Sequence, residues 1–177
     1  MKAAIYSRAM EEEQLTDVQL FFDELVKQKI EPFIFLNFFE QIKNSINLPA
    51  DTKTFALSED LSDDIECIIS LGGDGTLLDT ITIVKDKDIP VMGINFGRLG
   101  FLASIGREEM QKAVKAIAKR TYVVDKRTMI HLDADSPLFG NVPYALNEFS
   151  IHKRDVASMI KIHTYVNGEF LNTYWAD

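Results

Sequence analysis

The chain has 177 residues, 46% of them apolar, with a formal charge of −8 and a pI near 4.9. That supplies material for a real core in one domain or two small ones. The acidity opposes binding to nucleic acid or an anionic membrane, since both would repel the chain at long range. Cys67 is the single cysteine, so no intrachain disulfide forms and the expected compartment is the cytoplasm. Met1 to Tyr6 does not read as a signal peptide, and no run approaches the ~18 apolar residues of a membrane span.

Ala3–Ser7 reads as a first strand. Thr16 and Gln19 form a capping-box pattern, followed by Val18, Phe21, Phe22, Leu25 and Val26 at helical spacing on one inward face. Pro32–Leu36 reads as a second strand, and Phe38, Phe39, Ile42 and Ile46 supply a second amphipathic helix. Asn47–Asp64 is polar apart from a stretch around Phe55. Ile65–Leu71 is a near-continuous apolar run, suited to a strand buried on both faces. Thr76–Val84 reads as a helix, Ile89–Asn95 as a strand, and Glu108–Lys119 as a helix with Met110, Ala113, Val114 and Ile117 inward.

From Tyr122 onward the pattern becomes alternation. Met159, Lys161, His163 and Tyr165 face one way; Ile160, Ile162, Thr164 and Val166 face the other. Asn167-Gly168 is a hairpin signal before Glu169–Trp175. The expected fold is therefore α/β, a Rossmann-like parallel sheet over residues 1–120, followed by an antiparallel β domain over 121–177.

The chemistry centres on Gly72-Gly73-Asp74-Gly75-Thr76, between the buried strand and the helix after it. Three glycines there let backbone N–H groups converge on a phosphate without Cβ atoms in the way. A carboxylate in such a cradle repels phosphate. Asp74 makes sense if a metal bridges the two charges, or if the acid accepts a hydrogen bond or proton from a substrate hydroxyl. Both belong to phosphoryl transfer. The loop is neither a Walker A sequence nor a Gly-x-Gly-x-x-Gly dinucleotide fingerprint.

This loop resembles the motif shared by NAD kinases, diacylglycerol kinases and, more loosely, phosphofructokinases. Gly93-Ile94-Asn95-Phe96-Gly97-Arg98-Leu99-Gly100-Phe101-Leu102 resembles the second motif of the NAD kinases, and Asn147-Glu148 the pair with which they hold a ribose of NAD. An amide and a carboxylate together recognise a diol, but neighbours in a regular strand point apart, so the pair needs a strand end or bulge. Ala176-Asp177 resembles the start of an Ala-Asp-Gly segment after which family members continue.

The resemblance implies an NAD kinase: phosphoryl transfer from ATP or polyphosphate to the 2′-hydroxyl of the adenosine ribose of NAD, with a divalent cation, Mg2+ by expectation. Asp74 would be catalytic, activating or orienting that hydroxyl or holding the metal. Gly72, Gly73, Gly75 and Thr76 would take the phosphates, with Thr76 also capping the following helix. Asp74, Gly75, Phe101, Asn147, Glu148 and Asp177 would contact NAD, and the full-length form would be a dimer or tetramer. The alternatives are a lipid kinase sharing the first motif and a noncatalytic dinucleotide-binding module. His131, His152 and His163, all expected in strands, read as structural or surface residues, Cys67 as a packing thiol, and Lys85–Asp88 as a solvated turn. Lys153-Arg154 is a weaker candidate for contacting phosphate.

Overall fold

The computed structural model describes residues 1–97, 100–136, 138–140, 142–154 and 158–176. It forms two compact units, Met1–Leu146 and Asn147–Asp177. The first contains a parallel sheet built from β1 (Lys2–Tyr6), β2 (Glu31–Phe35), β3 (Lys53–Phe55), β4 (Ile65–Leu71), β5 (Val91–Asn95) and β6 (Ile105–Gly106), in the order β3-β2-β1-β4-β5-β6. Every pair in it is parallel. Its helices are α1 (Leu15–Lys27), α2 (Leu36–Ile42), α3 (Asp74–Val84) and α4 (Met110–Ala118).

The apolar run of β4 is explained by cover on both faces. Cys67, Ile69 and Leu71 join one cluster with Phe21, Phe22, Leu25, Val114 and Ile117 from α1 and α4. Ile65 and Ile68 join the other, with Tyr6, Phe55 and Ile83. Burial pushes the Cys67 thiol up to about 12, so it is a packing group and stays protonated.

The first helix differs from expectation. Thr16 lies inside α1, which a short 3-10 turn at Glu12–Gln14 precedes; there the Glu11 N–H donates to Gln14 Oε1 at 2.9 Å. Gln19, free of any capping duty, donates through Nε2 to the Asn47 carbonyl at 3.2 Å and accepts from the Asn47 N–H at 2.6 Å. Val26, expected inward, is 56% exposed, while Glu24 is buried in that part of the helix. Glu24 accepts from Gln28 Nε2 at 2.8 Å and faces Lys115 of α4 at 3.9 Å, so its burial is compensated by partners. Two short strands, β3 and β6, escape a periodicity reading because three and two residues are too few to show one.

After α4, β7 (Met129–His131) and β8 (Tyr144–Leu146) form an antiparallel ribbon that still belongs to the first unit. In the second unit β9 (Ile160–Val166) and β10 (Glu169–Ala176) pair antiparallel across Asn167-Gly168, both at positive φ as a tight hairpin requires. Along β9, Ile160, Ile162 and Thr164 are partly covered while Lys161, His163 and Tyr165 are exposed, the alternation read from the sequence. His131 and His163 lie in strands; His152 does not, because pairing begins only at Ile160.

Candidate functional site: the crevice between β1 and β4

The sheet changes direction between β1 and β4. From β1 the chain runs outward to β2 and β3 on one side, and from β4 to β5 and β6 on the other. In open parallel sheets the connections leave such a point toward opposite sides and open a crevice at the carboxyl ends of the strands. The glycine loop follows β4 there, and Ser7-Arg8 follows β1.

The loop is shorter than the sequence suggests. Gly73 is the N-cap of α3 and the helix starts at Asp74, so Thr76 sits in the first turn instead of capping it. Gly72 has φ +150°, and a Cβ on it would lie 2.4 Å from Thr76 Oγ1. Only glycine serves at that position. Its N–H donates to the Ile94 carbonyl at 2.9 Å, tying the loop to β5.

Asp74 turns away from the loop that carries it, toward the second motif. Its Oδ2 accepts from the Phe101 N–H at 2.8 Å, and its Oδ1 accepts from the Leu102 and Ala103 N–H groups at 2.9 and 2.8 Å. Three successive N–H groups converging on one carboxylate make an anion nest. These bonds, that from Ala103 foremost, hold the Asp74 carboxyl below the usual carboxylate range against the opposing effect of desolvation. A carboxylate has about four lone-pair sites, so one on Oδ2 is left for a further donor.

The rest of the second motif supports this corner. A Cβ on Gly100 would lie 2.1 Å from Asp74 Oδ1, so the carboxylate rests directly on the Gly100 backbone. Asn95 is buried; its Oδ1 accepts from the Gly97 N–H at 2.8 Å and its Nδ2 donates to the Ala103 carbonyl at 3.4 Å. Gly93 lets Leu77 of α3 and Ala103 close over β5, since a Cβ there would meet them at 2.6 and 3.0 Å. Phe101 is 78% exposed, with the Arg127 guanidinium 5.9 Å from its ring centroid. Beside it opens a cavity of about 520 Å3, lined by Leu77, Ile81, Val91, Met92, Val123 and Val124 among others. The lining is largely apolar and includes Phe101 and Leu102, whose N–H groups donate to Asp74.

Among the described residues no three His, Cys, Asp or Glu side chains gather as a metal cage would require. With three N–H groups already on Asp74, its carboxylate could give a divalent ion at most one oxygen. Asn147 and Glu148 open the second unit. Asn147 comes directly after β8, with φ +80°. Arg98, Leu99 and Asp177 lie outside the described residues.

Sequence reasoning missed a group at the end of β1. Arg8 donates through Nε and, at 2.6 Å, through Nη2 to the two carboxylate oxygens of Asp79 on α3, and Tyr6 Oη donates to Asp79 at 2.9 Å. A signal existed: Arg8 comes just after an expected strand, hence at its carboxyl end.

The family model for the ATP-NAD kinase N-terminal domain matches residues 7–122. The chain belongs to the NAD kinase family. An NAD kinase of Cytophaga hutchinsonii is 42% identical over 175 residues, covering 98% of this chain and 60% of its own length. One from Bacteroides fragilis is 38% identical over 177 residues, covering all of this chain and 60% of its own. The chain thus spans about three fifths of the length of these curated relatives. The crystal structure of yeast NADH kinase complexed with NADH superposes with a TM-score of 0.80 at 20% identity, over all of this chain and 55% of that one. This likeness establishes the shared fold. Membership of the family also sets the lipid-kinase alternative aside, because the match runs far beyond the one motif the two share. No helix among the described residues is long and apolar enough to cross a membrane.

Proposed function

We propose that this chain supplies the phosphoryl-transfer corner of an NAD kinase, which moves a phosphoryl group from ATP or polyphosphate to the 2′-hydroxyl of the adenosine ribose of NAD and so forms NADP. The observation that carries the proposal is the Asp74 carboxylate, fixed by three N–H groups with one lone pair left over. A carboxylate so fixed is a weak base but a well-aimed acceptor, since the bonds that orient it also lower its proton affinity. Its role is to accept the hydrogen bond of the attacking hydroxyl, hold that oxygen in line, and take the proton as the new P–O bond forms.

Gly72, Gly73 and Gly75 give the phosphates access to backbone, with Thr76 in the first turn behind them. A Mg2+ carried in on the donor would neutralise the charge of the phosphates; if Asp74 ligates that ion, the ion takes the one remaining lone pair in place of the hydroxyl. Asn147 and Glu148 are assigned to the ribose diol, Phe101 to packing on the dinucleotide, and Asp177 to a further NAD contact. The expected setting is a cytoplasmic homo-oligomer, a dimer or tetramer, with residues 1–120 as the nucleotide domain and 121–177 as the start of the β domain.

The test is NADP formation by the full-length protein and by the 177-residue chain, each mixed with NAD and either MgATP or polyphosphate. NADP from the full-length protein is the expected result. Calorimetric binding of NAD without any product would reject the kinase and leave the noncatalytic module.

A further inference from the structure

We infer that Arg8 is a phosphate-binding residue for the phosphoryl donor, and that Asp79 and Tyr6 position it. The inference rests on the phosphoryl-transfer reading above and extends it to a residue outside both glycine motifs. Arg8 is the second residue after β1, beside the glycine loop that follows β4. A Cβ built on Gly75 would lie 3.3 Å from Arg8 Nη1, so the guanidinium lies against the face of the loop that lacks a side chain. Nε and Nη2 serve the two oxygens of Asp79, which fixes the guanidinium plane and leaves Nη1 as the edge beside the loop.

A purely structural ion pair explains this poorly. The Arg8 side chain is 59% exposed, and pairs so exposed contribute little to stability once side-chain entropy and solvent screening are counted. The arrangement also recruits a third group: Tyr6 Oη donates to the same Asp79 oxygen that receives Nε. Burial, together with the bond to Asp79, pushes the Tyr6 hydroxyl up to about 12, so it remains a donor at physiological pH. Two donors from β1 and its loop thus lock one acid on α3, and the acid aims one guanidinium.

The chemistry of the guest follows. The Arg8–Asp79 pair is neutral as a whole, so it offers little long-range attraction; it offers directed N–H donors. Planar, fixed guanidinium edges match the oxygens of a phosphoanhydride, and Arg outperforms Lys where the match is directional. In a chain of net charge −8, a polyanion needs such local donors to settle at all. A phosphoanhydride occurs in both the donor and NAD. The position beside Gly75, on the side of the loop away from the Asp74 contacts with Phe101–Ala103, favours the donor.

The experiment is calorimetric titration of the full-length protein with inorganic tripolyphosphate and, separately, with NAD. Arg8→Lys, which keeps the charge and loses the fork, should weaken tripolyphosphate binding about tenfold, and Arg8→Ala further, with melting temperature and NAD affinity unchanged. Asp79→Asn should alter tripolyphosphate affinity when Arg8 is present and have no effect in the Arg8→Ala background, a coupling that a structural ion pair would not give. Equal tripolyphosphate affinity in wild type, Arg8→Lys and Arg8→Ala overturns the inference, and so does a loss confined to NAD. If the full-length protein makes no NADP yet binds tripolyphosphate through Arg8, the kinase reading falls and the Arg8 site stands.

Discussion

In the full-length protein, the proposed role of Asp74 predicts that Asp74→Asn lowers the turnover of NAD to NADP by about 10²–10⁴-fold, the usual contribution of a positioned acid–base group, while NAD affinity falls much less. The substitution removes the charge, and it also unbalances the nest. Asparagine has one acceptor oxygen. If that oxygen takes the place of Oδ1, it keeps the Leu102 and Ala103 N–H groups, and the new NH2 is set against the Phe101 N–H. The corner therefore loses one bond in place while two persist, and the lone pair meant for the hydroxyl becomes a donor. Steady-state kinetics at saturating NAD and donor read the effect directly. Retained turnover contradicts the role given to Asp74.

Gly100→Ala has an effect of similar size by a different route. The added methyl would sit 2.1 Å from Asp74 Oδ1, and the carboxyl carbon is only 2.5 Å away, so the carboxylate must leave or the loop must move. Either way the three N–H groups lose their acceptor. Turnover should fall at least as far as in Asp74→Asn, and urea unfolding should show a loss of about 1–3 kcal/mol from overpacking and unpaired N–H groups. Gly97→Ala is the control from the same motif. Its nearest neighbour would be Asn95 Oδ1 at 3.8 Å, an ordinary contact, so stability and turnover should stay close to wild type. Equal behaviour of the two substitutions would show that the contact between Gly100 and Asp74 carries no weight.

Much of the fold was legible because it is written in periodicity. The run Ile65–Leu71 announced a strand covered on both faces, and the spacing of Phe21, Phe22 and Leu25 announced the helix that covers one of them. Errors fell where local chemistry admits two outcomes. Thr16 and Gln19 have capping spacing, but Gln14 had already closed the helix start and Gln19 found Asn47, 28 residues away. Val26 fits the apolar stripe, yet Glu24 took the buried place because Gln28 and Lys115 stand ready to pair with it.

The candidate site was legible as composition and hidden as geometry. An acid among three glycines pointed to phosphate and hydroxyl chemistry, and nothing local said that this acid would be held by N–H groups 27 to 29 residues on. That contact depends on β4 and β5 lying side by side, which brings the ends of the two motifs together. Arg8 was missed for the same reason, since its relevance depends on β1 being the other neighbour of β4.

The central claim is that the Asp74 carboxylate holds the Phe101–Ala103 corner. Amide hydrogen exchange, resolved residue by residue in wild type, Asp74→Asn and Asp74→Ala, tests it most directly. The expected pattern is protection of the 101, 102 and 103 amides in wild type, faster exchange at Phe101 alone in Asp74→Asn, and faster exchange at all three in Asp74→Ala, with the β4 amides unchanged. Identical exchange of those three amides in wild type and Asp74→Ala would contradict it.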